Sequence, residues 1–350
     1  MNDKNTNSII TDGFEFIEYA AENTQDLSAL FHTLGFKLAA RHRSKNVELF
    51  QQGDTNFIIN HEPNSFAQAF ARIHGASACA FAIRVKDANL AFKRAVQLGA
   101  KPYQGRSGPM ELNLPAIHGV GDSLLYLIDR YGGNTIYDID FIAVDDHKQG
   151  NNAGILSIDH ITHNVHQGRM NEWAGFYERL FNFKEIRYFD IKGIKTGLKS
   201  RAMVSPCGKI RIPINESTDD KSQIEEYLHA YNGEGIQHIA LVTKNIYETV
   251  EKLKSNGITF LTVPNSYYEL IQNRLPKHQE DIKRLQQDKI LIDGTVDESE
   301  NLLLQIFTEN VIGPIFFEII QRKGNEGFGE GNFQALFESI ELDQIQRGVI

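Results

Sequence analysis

One pattern recurs four times along this chain and restricts its fold more than any single residue does. It is a short β-rich stretch, an amphipathic helix ending near glycine, and then further strands. The clearest copy starts at Gly235. Ile236-Gln237-His238-Ile239-Ala240-Leu241-Val242 reads as a strand, and Asn245 can cap a helix whose apolar positions Ile246, Val250 and Leu253 recur every three or four residues. Asn256-Gly257 ends that helix. In a second copy the strand is Ala78 to Val85, Asp87 is the cap, and Leu90, Ala91, Ala95 and Leu98 line a helix before Gly99. The cap-to-glycine spacing is the same in both. A third copy opens at Ile155 to His163, with a helix from about Met170 through Trp173, Phe176, Tyr177 and Leu180. The fourth opens at Phe14 to Tyr19, with a helix near Leu27 to Leu34 that ends at Gly35.

The expected class is therefore α+β, with four βαβββ modules in two halves, 1–150 and 151–350. The polar stretch Asp145 to Asn152 joins them. Strands come in runs after each helix, so an open, curved, antiparallel half-barrel suits each half better than a doubly wound parallel sheet. Two such modules side by side enclose a concave space for a small ligand. A C-terminal helix is expected from Asn332 to Arg347, after the glycine-rich turn from Gly324 to Gly331, where it can act as a lid.

Composition excludes several classes. A formal charge of -9 and no long Lys/Arg cluster argue against a nucleic-acid partner. No apolar run approaches the ~18 residues that span a bilayer, and the polar N-terminus has no signal core. Two cysteines, Cys79 and Cys207, make no disulfide framework, so a reducing, cytoplasmic setting is expected. No P-loop and no Gly-x-Ser-x-Gly elbow occurs, and nothing pairs Cys207 with a base.

Three polar residues interrupt otherwise apolar strands: His160 in Ile158-Asp159-His160-Ile161, His238 in Gln237-His238-Ile239, and Glu318 between Phe317 and Ile319. Burying an ionised carboxylate costs several kcal/mol unless a cation offsets it, either a metal ion or an arginine such as Arg322. His160 and His238 each begin the first strand of a module, so related modules packed together would aim both imidazoles into one cavity. Two imidazoles and a carboxylate are the facial triad of non-haem iron(II) oxygenases. A lone strand histidine is more often a packed core residue. Two at equivalent repeat positions, with a glutamate, favour ligation. The first half is an internal control: Phe16 matches His160, and Ala78 or Ala80 matches His238. His163 points away from His160 and is expected to be structural or to support a ligand, and His166 to be solvated.

The ordered segments His160-Ile161-Thr162-His163-Asn164-Val165, Arg211 to Glu216, Gly233 to His238, Leu304 to Phe307, Phe317 to Arg322 and Gly327 to Phe333 together resemble the bacterial 4-hydroxyphenylpyruvate dioxygenase family, of the vicinal-oxygen-chelate superfold. The resemblance is dense from about Gly154 to Ile350 and diffuse before it. It implies one Fe(II) per subunit on His160, His238 and Glu318, a 2-oxo acid substrate, 4-hydroxyphenylpyruvate, that chelates the metal, and dioxygen as co-substrate. Homogentisate and carbon dioxide would be the products, in tyrosine and phenylalanine breakdown. The family's polar pocket residues would fall at Ser200, Asn215, Gln223, Gln237 and Gln305, and its substrate wall at Phe307, Phe316, Phe328, Asn332 and Phe333. On an ideal strand Gln237 points away from His238, so its role needs local twist or a relay. The resemblance also implies a homo-oligomer, dimer or tetramer, assembled through the N-terminal half. Rival readings are a 4-hydroxymandelate synthase, an extradiol dioxygenase, and a non-catalytic binding protein of the same superfold.

Overall fold

A computed structural model describes residues 9–105, 107–108, 110–144, 152–192, 196–263, 265–295, 301–329, 331–332, 334, 344–345 and 347–348. The first module comprises β1 (Thr11–Ala20), α1 (Thr24–Thr33), β2 (Lys37–His42), β3 (Val47–Gln52) and β4 (Thr55–Asn60). Helix α2 (Phe66–His74) leads into β5 (Ser77–Val85), α3 (Ala88–Gln97), β6 (Pro102–Tyr103), β7 (Ala116–His118) and β8 (Leu124–Ile128), followed by α4 (Tyr137–Asp140) and β9 (Phe141–Ala143). The third module is β10 (Ile155–Val165), α5 (Met170–Phe181), β11 (Lys184–Lys192), β12 (Gly197–Val204) and β13 (Arg211–Ser217). After α6 (Gln223–Tyr231) come β14 (Gly235–Thr243), α7 (Ile246–Asn256), the short α8 (Asn265–Glu269), α9 (Ile271–Arg274) and α10 (Ile282–Asp288), then β15 (Leu291–Gly294), β16 (Leu302–Phe307) and β17 (Phe316–Lys323). Asn245 and Asp87 cap α7 and α3 through Glu248 N and Leu90 N, as their spacing suggests. Of the expected C-terminal helix only fragments lie among the described residues, and Phe333 lies outside them.

The strands form two sheets, β6-β7-β8-β5-β1-β4-β3-β2-β9 and β11-β12-β13-β10-β14-β17-β16-β15. Both are mixed rather than antiparallel throughout. The first and last strands of each module pair in parallel, β1 with β4, β5 with β8, β10 with β13 and β14 with β17. Chain direction explains it: a helix returns the chain, three strands then alternate, and the fourth runs the same way as the first. Modules join through antiparallel pairs, β1 with β5 and β10 with β14.

Each central pair carries the same irregularity. In the second half, Ile158 faces Leu241 while His160 faces Ala240, and Thr162 faces His238 while His163 faces Ile236. Asp159 and Gln237 are therefore the extra residues of two β-bulges. The first half repeats the bulges at Glu15 and Cys79. The registers also settle the internal match. Phe16 faces Ala82 as His160 faces Ala240, Ala80 faces Glu18 as His238 faces Thr162, and Tyr126 faces Ala82 as Glu318 faces Ala240. The three positions read His160, His238 and Glu318 in one half and Phe16, Ala80 and Tyr126 in the other.

The two sheets share one continuous core. Phe57 of β4 stacks on Phe317 of β17 with ring centroids 5.8 Å apart. Gln52 Oε1 accepts the backbone N–H groups of Ala153 and Ile155. The backbones of the two halves also touch through glycine. Gly53 (φ +60°) leaves no room for a Cβ beside the Leu156 carbonyl, and a Cβ at Gly121 (φ +59°) would overlap the Glu234 carbonyl.

Candidate metal centre

β10, β14 and β17 are adjacent strands, so their side chains share one concave wall. His160, His238 and Glu318 are all buried there, and their donor atoms lie within 4.8 Å of one another. His160 Nε2 is 3.3 Å from His238 Nε2 and 3.1 Å from Glu318 Oε2, and His238 Nε2 is 3.5 Å from the same oxygen. Three donors on one face of an octahedron, each about 2.1 Å from an ion, would sit about 3.0 Å apart. The donor set thus fits one divalent cation with positions left open.

The bulges fix which ring nitrogens face inward. Asp159, displaced by its bulge, accepts from His160 Nδ1 at 2.9 Å. Gln237 Oε1 accepts from His238 Nδ1 at 3.0 Å. Both Nε2 atoms are left as the donors, an arrangement common around metal-binding histidines. So Gln237 does touch His238, and the bulge supplies the twist that an ideal strand lacks. Arg322 holds Asp159 with two bonds of 2.8 Å, and Arg211 lies 3.5 Å from it. Arg322 therefore neutralises Asp159 rather than Glu318. Glu318 instead accepts from Gln305 Nε2 at 2.7 Å, Gln305 Oε1 accepts from Asn332 Nδ2, and Asn332 Oδ1 accepts from the Tyr267 hydroxyl.

Electrostatics follow from this packing. Burial alone would raise the Glu318 carboxyl, but the two imidazoles hold it down at about 2. Burial would lower His160, but Glu318 and Asp159 carry it up to about 9. His238 is lowered, by burial first. Without an ion, a proton on His160 offsets the Glu318 charge, and a cation bound here would take its place.

The aromatic wall surrounds the three donors. Phe316 stacks on the His238 ring at 4.8 Å, Phe307 meets its edge at 6.5 Å, and Phe328 meets His160 at 5.7 Å. They leave a cavity of only about 20 Å³, also bounded by Phe189 and Pro213. Ser200 pairs with Phe189 on one side and Asn215 on the other, so all three share this face. Ser200 Oγ and Asn215 Oδ1 are buried without a partner. Two orphaned polar atoms in an aromatic site point to a ligand with its own polar groups. Gln223 lies apart from the donors, in a neighbouring cavity of about 410 Å³ that it shares with Gln237 and Phe316. His163 is buried against Tyr177, 2.7 Å from its hydroxyl, and His166 is exposed. A larger space, about 580 Å³, lies in the first half against Phe16 and Tyr126. Donor chemistry, not volume, marks the metal centre.

Paired curved sheets with a buried His-His-Glu cluster on the concave wall define a vicinal-oxygen-chelate metalloenzyme. A model of the glyoxalase, bleomycin resistance protein and dioxygenase superfamily matches residues 157–270, and one of the hydroxyphenylpyruvate dioxygenase N-terminal region matches 5–142. The chain is 56% identical over 348 residues to 4-hydroxyphenylpyruvate dioxygenase of Pseudomonas aeruginosa, covering 98% of this chain and 97% of that one. It is 58% identical over 350 residues to a Vibrio vulnificus protein called hemolysin VllY, with 98% of each covered. A solved fusion of a xylose isomerase-like TIM barrel with 4-hydroxyphenylpyruvate dioxygenase superposes with a TM-score of 0.80 at 35% identity, over 95% of this chain and 53% of the fusion. The chain belongs to the 4-hydroxyphenylpyruvate dioxygenase family.

Asp159 and Thr162, whose Oγ1 lies 2.9 Å from His238 Nε2, escaped the sequence reading, as did Phe189 and Pro213. Asp159 carried one signal, an acidic residue inside an apolar strand next to a histidine.

Proposed function

We propose that this chain converts 4-hydroxyphenylpyruvate and dioxygen to homogentisate and carbon dioxide, with Fe(II) held by His160, His238 and Glu318. The observation that carries the reading is the convergence of three buried donors from three strands, with both histidine Nδ1 atoms already engaged. Bound there, ferrous iron would supply dioxygen activation coupled to loss of the substrate carboxyl group. The protein's own work is positioning and exclusion of water. Phe307, Phe316 and Phe328 would sandwich the substrate ring, and Ser200 and Asn215 would meet its polar end. Gln237 and Gln305 would hold His238 and Glu318, Asn332 would hold Gln305, and Gln223 would line the approach through the neighbouring cavity. The 20 Å³ cavity is far below the ~300 Å³ of an ordinary ligand site. Phe328, which follows the Gly324 turn, would swing outward on substrate entry, and Phe333, outside the described residues, is kept as a candidate substrate contact on the resemblance alone. A cytoplasmic homo-oligomer, dimer or tetramer, completes the proposal.

The test is oxygen uptake with Fe(II) and 4-hydroxyphenylpyruvate, with product identification by mass spectrometry. Homogentisate is expected, and 4-hydroxymandelate in its place would overturn the regiochemistry. His160→Ala, His238→Ala and Glu318→Ala should each remove bound iron and turnover while leaving the far-ultraviolet circular dichroism unchanged. A variant that keeps full iron and full turnover would strike its residue from the ligand set.

A further inference from the structure

The first half keeps the cavity of its metal-binding counterpart but has refitted it. The three ligand positions are Phe16, Ala80 and Tyr126, which offer one phenol oxygen in place of three donors. The space against Phe16 and Tyr126 nonetheless persists at about 580 Å³, within the ordinary range for small-molecule sites. One side of the wall is apolar and aromatic, with Phe16 and Tyr126 rings 5.6 Å apart beside Val47 and Ile58. The other side is acidic. Among the described lining residues, Glu18, Glu62, Glu111 and Asp140 face only Lys45 and His42 as basic groups.

Most of these acids are already engaged. Glu111 pairs with Lys45 at 2.7 Å, Asp140 accepts from Leu112 N, and Glu62 accepts from Asn46 N. Glu18 differs. It lies on β1 two residues after Phe16, hence on the same face, and is only 7% exposed. Among the described residues its carboxylate accepts one hydrogen bond, from Asn60 Nδ2 at 2.7 Å, and it also faces the charge of Lys45. Its other carboxylate oxygen has no donor among the described residues and can take one from a ligand in the cavity. Burial pushes its pKa up, in keeping with that shortage. Tyr126 adds a hydroxyl for which the described residues offer no partner.

The geometry points to a second ligand site, in the metal-free half, for a small arylalkyl ammonium compound: the ring lies along Phe16 and Tyr126, and the ammonium group binds Glu18. An aromatic face and a carboxylate are the two groups that recognise such a cation. An anionic phenyl acid of the same size would instead place its carboxylate against Glu18. The site is therefore opposite in preference to the metal centre, whose substrate is an anion. A free amine and an aromatic amino acid share the recognised chemistry. They differ in a carboxylate that would have to settle near Lys45, which is already bound to Glu111.

The experiment is isothermal titration of the iron-loaded protein with tyramine, L-tyrosine and 4-hydroxyphenylacetate, repeated on Glu18→Gln. Ligand-to-protein nuclear Overhauser contacts from selectively labelled phenylalanine and tyrosine would place each ligand. Expected are saturable tyramine binding with contacts to Phe16 and Tyr126, at least tenfold weaker binding in Glu18→Gln, and unchanged 4-hydroxyphenylpyruvate turnover by that variant. L-Tyrosine binding as tightly as tyramine would identify the amino acid as the source, and weaker L-tyrosine binding would identify the free amine. Absence of tyramine binding, equal binding by Glu18→Gln, or 4-hydroxyphenylacetate bound at Phe16 and Tyr126 as tightly as tyramine would each overturn the inference. A fold lost in Glu18→Gln would show in its circular dichroism, and Ile58→Phe, which narrows the cavity, then takes its place with the same expected loss. Apart from that turnover control, the binding outcomes do not bear on the metal centre, which is tested by iron content and oxygen uptake.

Discussion

At the scale of single residues, Asp159 is the most informative. Its carboxylate is held well below the usual range, for although burial opposes ionisation, Arg322 and His160 more than compensate. It fixes the His160 ring and neutralises Arg322 at once. Asp159→Asn should weaken metal affinity by roughly 10–100-fold. It should also destabilise the fold by about 2–3 kcal/mol, because Arg322, half-buried, loses its counter-charge and keeps only the Asn325 and Gly327 carbonyls. Metal titration against a competing chelator and a thermal melt would check the two effects separately. His163 gives a pH prediction. Burial against Tyr177 pushes it down to about 3, so the folded protein keeps it neutral where the unfolded chain, at its ordinary value of about 6.5, takes up a proton. Its contribution is complete above about pH 6.5 and is lost, by roughly 1.4 kcal/mol per pH unit, as pH falls towards 3. Urea unfolding at pH 7 and pH 5 should show this slope, reduced by about one proton in His163→Gln. An unchanged slope in the variant would assign the effect elsewhere. The three ligands were legible in the sequence because a polar residue amid apolar strand neighbours stands out. Asp159 was not, because alternation on a regular strand turns it away from His160, and only a bulge brings the two together.

At the scale of elements, the bulges belong to the repeat and not to the metal. Glu15 bulges from β1 and pairs with Arg84 at 2.6 Å, much as Asp159 bulges from β10 and pairs with Arg322. The repeat, its caps and its helices were readable from hydrophobic spacing and from Asp87 and Asn245. The parallel pairs were not, because pattern reports which face is buried and not which way a neighbouring strand runs. If the scaffold supplies the geometry, restoring the side chains should restore a site. Phe16→His, Ala80→His and Tyr126→Glu together should raise cobalt(II) stoichiometry from one to two ions per chain, measured by equilibrium dialysis with metal analysis. A folded triple variant that still binds one ion would show that position in the repeat is insufficient.

At the scale of the molecule, the halves look separable in sequence, where a polar stretch divides them. The continuous core says otherwise: Phe57 against Phe317 and Phe81 against His163 are contacts neither half can make alone. Calorimetric and spectroscopic unfolding should therefore coincide in one transition for the whole chain. Two resolved transitions would contradict a shared core.

The touching point at Gly121 carries this interdependence into the chemistry. Glu234, whose carbonyl it abuts, directly precedes β14, and its carboxylate ties together Arg169, Trp173 and the His166 backbone N–H. Four residues further on is His238. A side chain forced in at position 121 would thus announce itself as a poorly metallated protein with every ligand intact, an injury in the half without chemistry that an assay would blame on the half that has it.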